Sequence, residues 1–272
     1  MKKLLLLVLI ITGAISQAQE KVKGNREPST VITDLKSFNT IEIGGDFEVA
    51  IVEGPQAQIE ITTDSNLHEF IEVNVANGTF NISTTAIIRS KKEMSIRLIY
   101  PAGLTKIIAK EKAEISAITE LKADQLEINI QNDAKLFLTA SIGQLTLNLK
   151  GDTKSELNLK GNEAIINLTD KAEIKALLTY QNLNLSMSGR SDAKLEGDIK
   201  TGTLLLEDKS DYHGDNLVFN NLNMKATHNT NSEINVKDEL SLAASDDAKV
   251  ELFNTPKIIL EKFIGKTQLI KK

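Results

Sequence analysis

Cysteine and tryptophan are absent from this 272-residue chain, and proline occurs only four times. Without thiols there is no disulfide, no thiolate metal site and no lipid-modified N-terminal cysteine, so burial and backbone pairing alone must hold the fold. Aromatic residues make up 4% of the chain against 41% hydrophobic residues overall, which calls for an aliphatic and β-branched core. No apolar run reaches the about 20 residues that a membrane-spanning helix needs, so no transmembrane anchor is expected. Basic excess is lacking as well: 32 Lys+Arg stand against 37 Asp+Glu, a balance that disfavours nucleic acid as a partner.

The chain begins with Lys2 and Lys3, an apolar run from Leu4 to Ile11, and a small-residue stretch ending at Ala18, with Ser16 and Ala18 at the −3 and −1 positions of a cleavage site. This is the pattern of a secretory signal peptide, residues 1–18, and places the mature protein in the periplasm, on the outer surface or outside the cell. Residues 19–37 read as an N-terminal linker.

From residue 107 onward a five-residue alternating strand recurs. Its copies begin at Ile107, Leu126, Leu145, Ala164, Leu183, Leu204, Leu222, Leu240 and Ile258, at spacings of 19, 19, 19, 19, 21, 18, 18 and 18. Two residues after each start stands another apolar residue, among them Ile128, Leu147, Leu185 and Leu242. A period of two within strands and near-constant spacing between them means one inward face per turn of a coil.

A second strand opens small-charged-aliphatic: Ala113-Glu114-Ile115, Ala134-Lys135-Leu136, Ser155-Glu156-Leu157, Ala172-Glu173-Ile174, Ala193-Lys194-Leu195, Ser232-Glu233-Ile234 and Ala248-Lys249-Val250. In that alignment the outward charges form a column of mixed sign, which suits coils stacked about 4.8 Å apart. Crossovers of a few residues are too short for a βαβ unit, which needs a dozen or more. The expected fold is therefore all-β, a single-domain parallel β-helix (β-solenoid) whose right-handedness follows from strand twist. Residues 107–272 form its regular coils. Residues 38–106 are β-rich but less regular, with an Asn77-Gly78 hairpin signal and Pro101 ending a strand, and form either distorted first coils or a cap.

The run Phe38-x-x-Ile41-x-Ile43-Gly44-Gly45-Asp46-Phe47-x-Val49-x-Ile51-x-x-Gly54, the later Val75-x-Asn77-Gly78-x-Phe80-x-Ile82, and Tyr100-Pro101 before coils opening small-x-aliphatic resemble the head GIN-domain family. Those are exported bacterial proteins with an auto-transporter adhesin label. The resemblance spans roughly residues 38–260 and implies a β-helical domain of the cell envelope. It carries no defined functional residues.

Within the residues themselves no catalytic, cofactor or metal constellation stands out. His68, His213 and His228 form no close pair in sequence, and no Gly-x-Ser-x-Gly turn occurs. Aspartates recur as Asp133, Asp152, Asp170, Asp192, Asp211 and Asp247, but five of the six have a lysine within two residues, which neutralises a turn without Ca²⁺. One stretch departs from the repeat and forms the candidate binding coil: Glu207, Asp208, Asp211, Tyr212 and His213. Asn129, Asn148 and Asn167 recur outward and read as an amide ladder. Outward Ile108, Phe137, Ile165 and Leu205 are candidates for a partner or self-association surface.

The expected function is an adhesin-like interaction module without catalysis or cofactor, directed at an envelope or surface protein or glycan. A polysaccharide lyase or hydrolase is the alternative on fold analogy, and a lipid or apolar-ligand binding protein a second one if a pocket lies between cap and solenoid.

Overall fold

Inward-outward alternation, interrupted only at the corners, lets the strands between residues 121 and 253 hide about one side chain in two, and they do so by winding on themselves. The computed structural model describes residues 20–272; the signal-peptide reading concerns residues outside this range. The N-terminal part comprises β1 (Lys21–Lys23), β2 (Pro28–Asp34), β3 (Thr40–Ile43), β4 (Glu48–Glu53), β5 (Gln58–Asp64), β6 (Ile71–Ala76), β7 (Thr79–Thr84), β8 (Ile87–Ser90) and β9 (Met94–Tyr100). The coils follow as β10 (Lys106–Ala109), β11 (Glu114–Ala117), β12 (Leu121–Asn132), β13 (Lys135–Gly151), β14 (Lys154–Asp170) and β15 (Glu173–Met187). They end with β16 (Asp192–Leu206), β17 (Asp211–Ala226), β18 (Asn231–Ala244), β19 (Lys249–Phe253), β20 (Lys257–Phe263) and β21 (Gln268–Lys271).

Successive coils pair in parallel from β3 and β4 to β20 and β21, giving a β-solenoid of about nine turns. Leu145, Leu147 and Leu149 are buried, as are Leu183 and Leu185 below them and Leu126 and Ile128 above. Each such side chain contributes about 1.5–3 kcal/mol of burial, which makes disulfides unnecessary.

The register differs from the sequence alignment by two residues at several steps. Ile107 pairs with Ile128, not Leu126, and Leu183 pairs with Gly202, not Leu204. Lys135 pairs with Lys154, so Thr153-Lys154-Ser155, and not Ser155-Glu156-Leu157, lies under Ala134-Lys135-Leu136. The small corner column is therefore Ala113, Ala134, Thr153, Ala172, Ser191, Ser210, Thr230 and Ala248, every member buried. A slip of two keeps every side chain on its own face but gives it the wrong neighbours.

The corner just before this column is held by one left-handed residue per coil. Glu111, Asn132, Gly151, Asp170, Gly189, Asp208, His228, Asp246 and Gly265 all have φ between 60° and 98°. Where the corner residue carries a carboxylate, that group often caps the coil before it. The Gly45 N–H donates to Glu111 Oε2 at 2.7 Å, and the Gly189 N–H to Asp208 Oδ2 at 2.9 Å. Glycine, Asn and Asp are the residues that tolerate this conformation.

At the N-terminal end, β3 and β4 are a true coil, while β5, β6 and β2 add antiparallel strands to the sheet edges. The less regular part is thus both first coil and cap. The Asn77-Gly78 hairpin joins β6 to β7, and β9 stops before Pro101. The stretch expected as a linker carries β1 and β2; polar Ser, Thr and Asp hid β2, whose Val31 and Ile32 are both exposed, one on each face of the strand. Buried Asp64 ties this strap down, accepting the Arg26 N–H at 3.1 Å and the Lys92 N–H at 3.1 Å.

Candidate functional site

Register converts outward positions into columns, and the two long faces of the solenoid differ sharply in chemistry. On the first face one column reads Gln125, Gln144, Glu163, Asn182, Thr201 and Asn221. Beside it run Glu127, Thr146, Ile165, Asn184, Thr203 and Asn223, then Asn129, Asn148, Asn167 and Ser186. Amides and hydroxyls predominate on this face; Glu127, Glu163 and Ile165 interrupt them, and the third column begins at Ile108 and runs on to Leu205 and Lys225, which places two further outward apolar candidates here. Asn148 Nδ2 donates to Asn129 Oδ1 and Asn167 Nδ2 to Asn148 Oδ1, each at 2.8 Å, the amide ladder expected of them. Glu127 accepts from Asn129 and pairs with Lys106 at 3.0 Å; both hold its carboxyl below the usual range. The remaining amides and hydroxyls of the first two columns make no side-chain hydrogen bond within the described residues. A shallow groove of about 400 Å³ crosses the face over Thr105, Gln125, Glu127, Gln144 and Thr146.

The opposite face is charged. Its first column is Glu114, Lys135, Lys154, Glu173, Asp192 and Asp211. Lys135 pairs with Glu114 at 3.3 Å and Lys154 with Glu173 at 3.6 Å. In the true register the signs do not alternate: Lys135 stacks on Lys154, and Glu173, Asp192 and Asp211 follow one another. Burial raises the Asp192 carboxyl above its ordinary pKa, with Asp211 and Glu173 adding to it against the pull of His213. His213 lies between two coils, 3.7 Å from Asp192 Oδ2 and 3.6 Å from Glu233 Oε2.

The candidate coil is dispersed by the fold. Glu207 precedes the corner, Asp208 is the left-handed corner residue itself, and Asp211 and His213 face outward in adjacent columns. Tyr212 points inward and is 1% exposed, in one column with Ala193 and Ser232. Far from breaking the repeat, Ser210-Asp211-Tyr212 continues it; the extra residues fall later, where the register shifts between Gly214 and Val218. The six turn aspartates likewise separate: Asp170 is a corner residue, Asp133, Asp152 and Asp247 follow one, and Asp192 and Asp211 belong to the charged column. His68 bonds Ser29, and His228 occupies a corner. Among the described residues no three metal-ligating side chains converge, and no helix is long and apolar enough to cross a membrane.

At the junction of cap and coils lies a cavity of about 490 Å³, lined by Phe47, Ile82, Ala86, Ile88 and Met94 and, in about equal measure, by polar groups that include Asp46, Ser83, Lys91 and Glu111. Sequence reasoning anticipated its place but none of its residues, which come from four separate segments.

A family model described as "Putative auto-transporter adhesin, head GIN domain" matches residues 37–162 and again 139–256. Among proteins of curated function, none matches the sequence. Among solved structures, a protein described as a putative adhesin from Parabacteroides merdae superposes with a TM-score of 0.62 at 20% identity, covering 93% of this chain and 99% of its own. A second so described, from Parabacteroides distasonis, gives 0.63 at 18% identity, covering 93% and 98%. A third from Parabacteroides distasonis, described as a putative lipid binding protein, gives 0.62 at 13% identity, covering 93% and 100%. At these identities the likeness establishes the fold.

Proposed function

The chain belongs to the head GIN-domain family, and from that premise we propose that it is an exported, non-catalytic adhesin-like module whose amide-and-hydroxyl face binds a neutral glycan of the envelope or of a neighbouring surface. The supporting observation is that face itself. Amides and hydroxyls both donate and accept, which matches sugar hydroxyls, and the β-spacing holds them in fixed rows before any ligand arrives. Rigid, prearranged donors reduce the ordering cost of binding. A protein partner would be better served by an aromatic or apolar centre; here Ile165 stands between Thr146 and Asn184, and Ile108 and Leu205 lie at opposite ends of the third column.

The reading is tested by placing charge on the face. Residues 20–272 carrying Thr146→Glu with Thr203→Glu should lose retention on immobilised neutral envelope polysaccharide, while Lys175→Glu, in the column of His213 on the charged face, should leave it unchanged. Equal retention of all three, or no retention of the unaltered chain, contradicts the reading.

The junction cavity favours a second reading, an apolar ligand held between cap and coils. Its volume lies in the range of small-molecule sites, and the third solved structure is described as lipid binding. Enhanced fluorescence of a bound fatty-acid probe, lost on Ala86→Trp, would support it; an unchanged signal would dismiss it.

A further inference from the structure

The two ends of the solenoid are finished differently. At the N-terminal end antiparallel strands cover the sheet edges. At the other end β20 pairs only with β18, and β21 only with β19, among the described residues. Ile258, Leu260 and Phe263 continue the inward columns of Leu240, Leu242 and Ala244, which are buried, yet they are 42%, 52% and 38% exposed. An apolar, unpaired edge of this kind is a template for strand addition.

We propose that this edge pairs with β20 of a second copy, antiparallel about a two-fold axis through Ile259. The strand is self-complementary in that register and in no neighbouring one. With Ile259 facing its own copy, Ile258 lies opposite Leu260, both inward, and Lys257 lies opposite Glu261, the residue at which β20 bulges from β18 and whose carboxylate turns to the outward Ser241 hydroxyl. Lys257 already pairs with Glu239 at 2.9 Å, so the second copy extends that charge row as Glu, Lys, Glu. Moving the axis by one residue, to Ile258 or to Leu260, would set Ile259 against Lys257 or against Glu261.

Backbone phase agrees. Register places Ile259 in the column of Glu127, whose N–H points to the preceding coil at Thr105 O. The groups of Ile258 and Leu260 therefore face the open side, as a hydrogen-bonded antiparallel pair requires. The apolar side chains exposed along the edge offer on the order of 400 Å² per copy, which with the backbone edge reaches the low end of specific interfaces. The dimer is accordingly concentration-dependent, and it does not rest on the glycan reading.

Sedimentation equilibrium of residues 20–272 across a micromolar series should show a monomer–dimer equilibrium. Ile259→Lys and Ile259→Asp each set like charges face to face and should weaken self-association roughly a hundredfold, with unchanged thermal melting because the site is outward in the final coil. Mixed in equal amounts, the two variants should form a heterodimer. A wild type that stays monomeric, an Ile259→Lys variant that dimerises like wild type, or a mixture that fails to associate would each overturn the proposal.

Discussion

Replacing Tyr212 with phenylalanine should stabilise the protein, the opposite of what most core substitutions do. The ring lies in the solenoid interior at 1% exposure, and its hydroxyl meets no hydrogen-bond partner among the described residues. Space for it exists because residue 214 is glycine: a Cβ there would stand 2.3 Å from the Tyr212 Oη. A buried hydroxyl without a partner costs about 1–3 kcal/mol, and removing one oxygen leaves the ring packing intact. For a domain of this size each kcal/mol moves the melting temperature by about 2–4 °C, so Tyr212→Phe should melt roughly 2–12 °C higher by calorimetry at neutral pH. The gain should widen in alkali. Burial raises the Tyr212 pKa above the ordinary tyrosine value, so the wild type loses stability as pH climbs past about 10, where the unfolded tyrosine ionises and the folded one does not. A lower melting temperature would show that the hydroxyl has a partner, and weakened ligand binding with intact folding would return Tyr212 to the binding surface.

Leu147→Asp should leave the chain unfolded or aggregated, because the residue is wholly buried in a middle coil and an unpaired charge there costs several kcal/mol against a total of about 5–15; wild-type melting would refute the inward register. Asp192→Asn should raise stability at pH 8 by a few tenths to about 1 kcal/mol and have little effect near pH 3. The folded-state pKa of Asp192 is raised, so its charged form costs stability above the ordinary carboxylate range and nothing below it, where both states are protonated; a melting temperature lowered at pH 8 would mean the His213 contact outweighs burial and repulsion.

Architecture was legible in the residues because alternation and spacing are direct consequences of winding a strand around a core. Leu147, Leu185 and Ala248 are where the pattern put them. Neighbour relations were less legible, for a specific reason. Thr153-Lys154-Ser155-Glu156-Leu157 and Ser191-Asp192-Ala193-Lys194-Leu195 each contain two overlapping small-charged triplets two residues apart. Both alignments bury the same side chains, so hydrophobicity cannot choose between them. The choice comes from the left-handed corner, where Gly151 and Gly189 give a signal but Glu111 and His228 do not. The misalignment concealed the run Glu173, Asp192, Asp211 and made Tyr212 look like part of an irregular loop. The amide face was half visible: Asn129, Asn148 and Asn167 repeat at a constant spacing, whereas Gln144, Asn184 and Thr203 vary in type and emerge as a surface only once stacked.

One incubation read two ways decides whether the amide face binds without turnover. Residues 20–272 are offered neutral and acidic polysaccharides with Ca²⁺ present, and bound polymer and newly formed chain ends are measured together. Retention of a neutral polysaccharide, abolished by Thr146→Glu with Thr203→Glu and accompanied by no new chain ends, is the predicted result. Reproducible cleavage that disappears on mutating Asp192, Asp211 or Glu233 would contradict the claim and make the charged face a catalytic one.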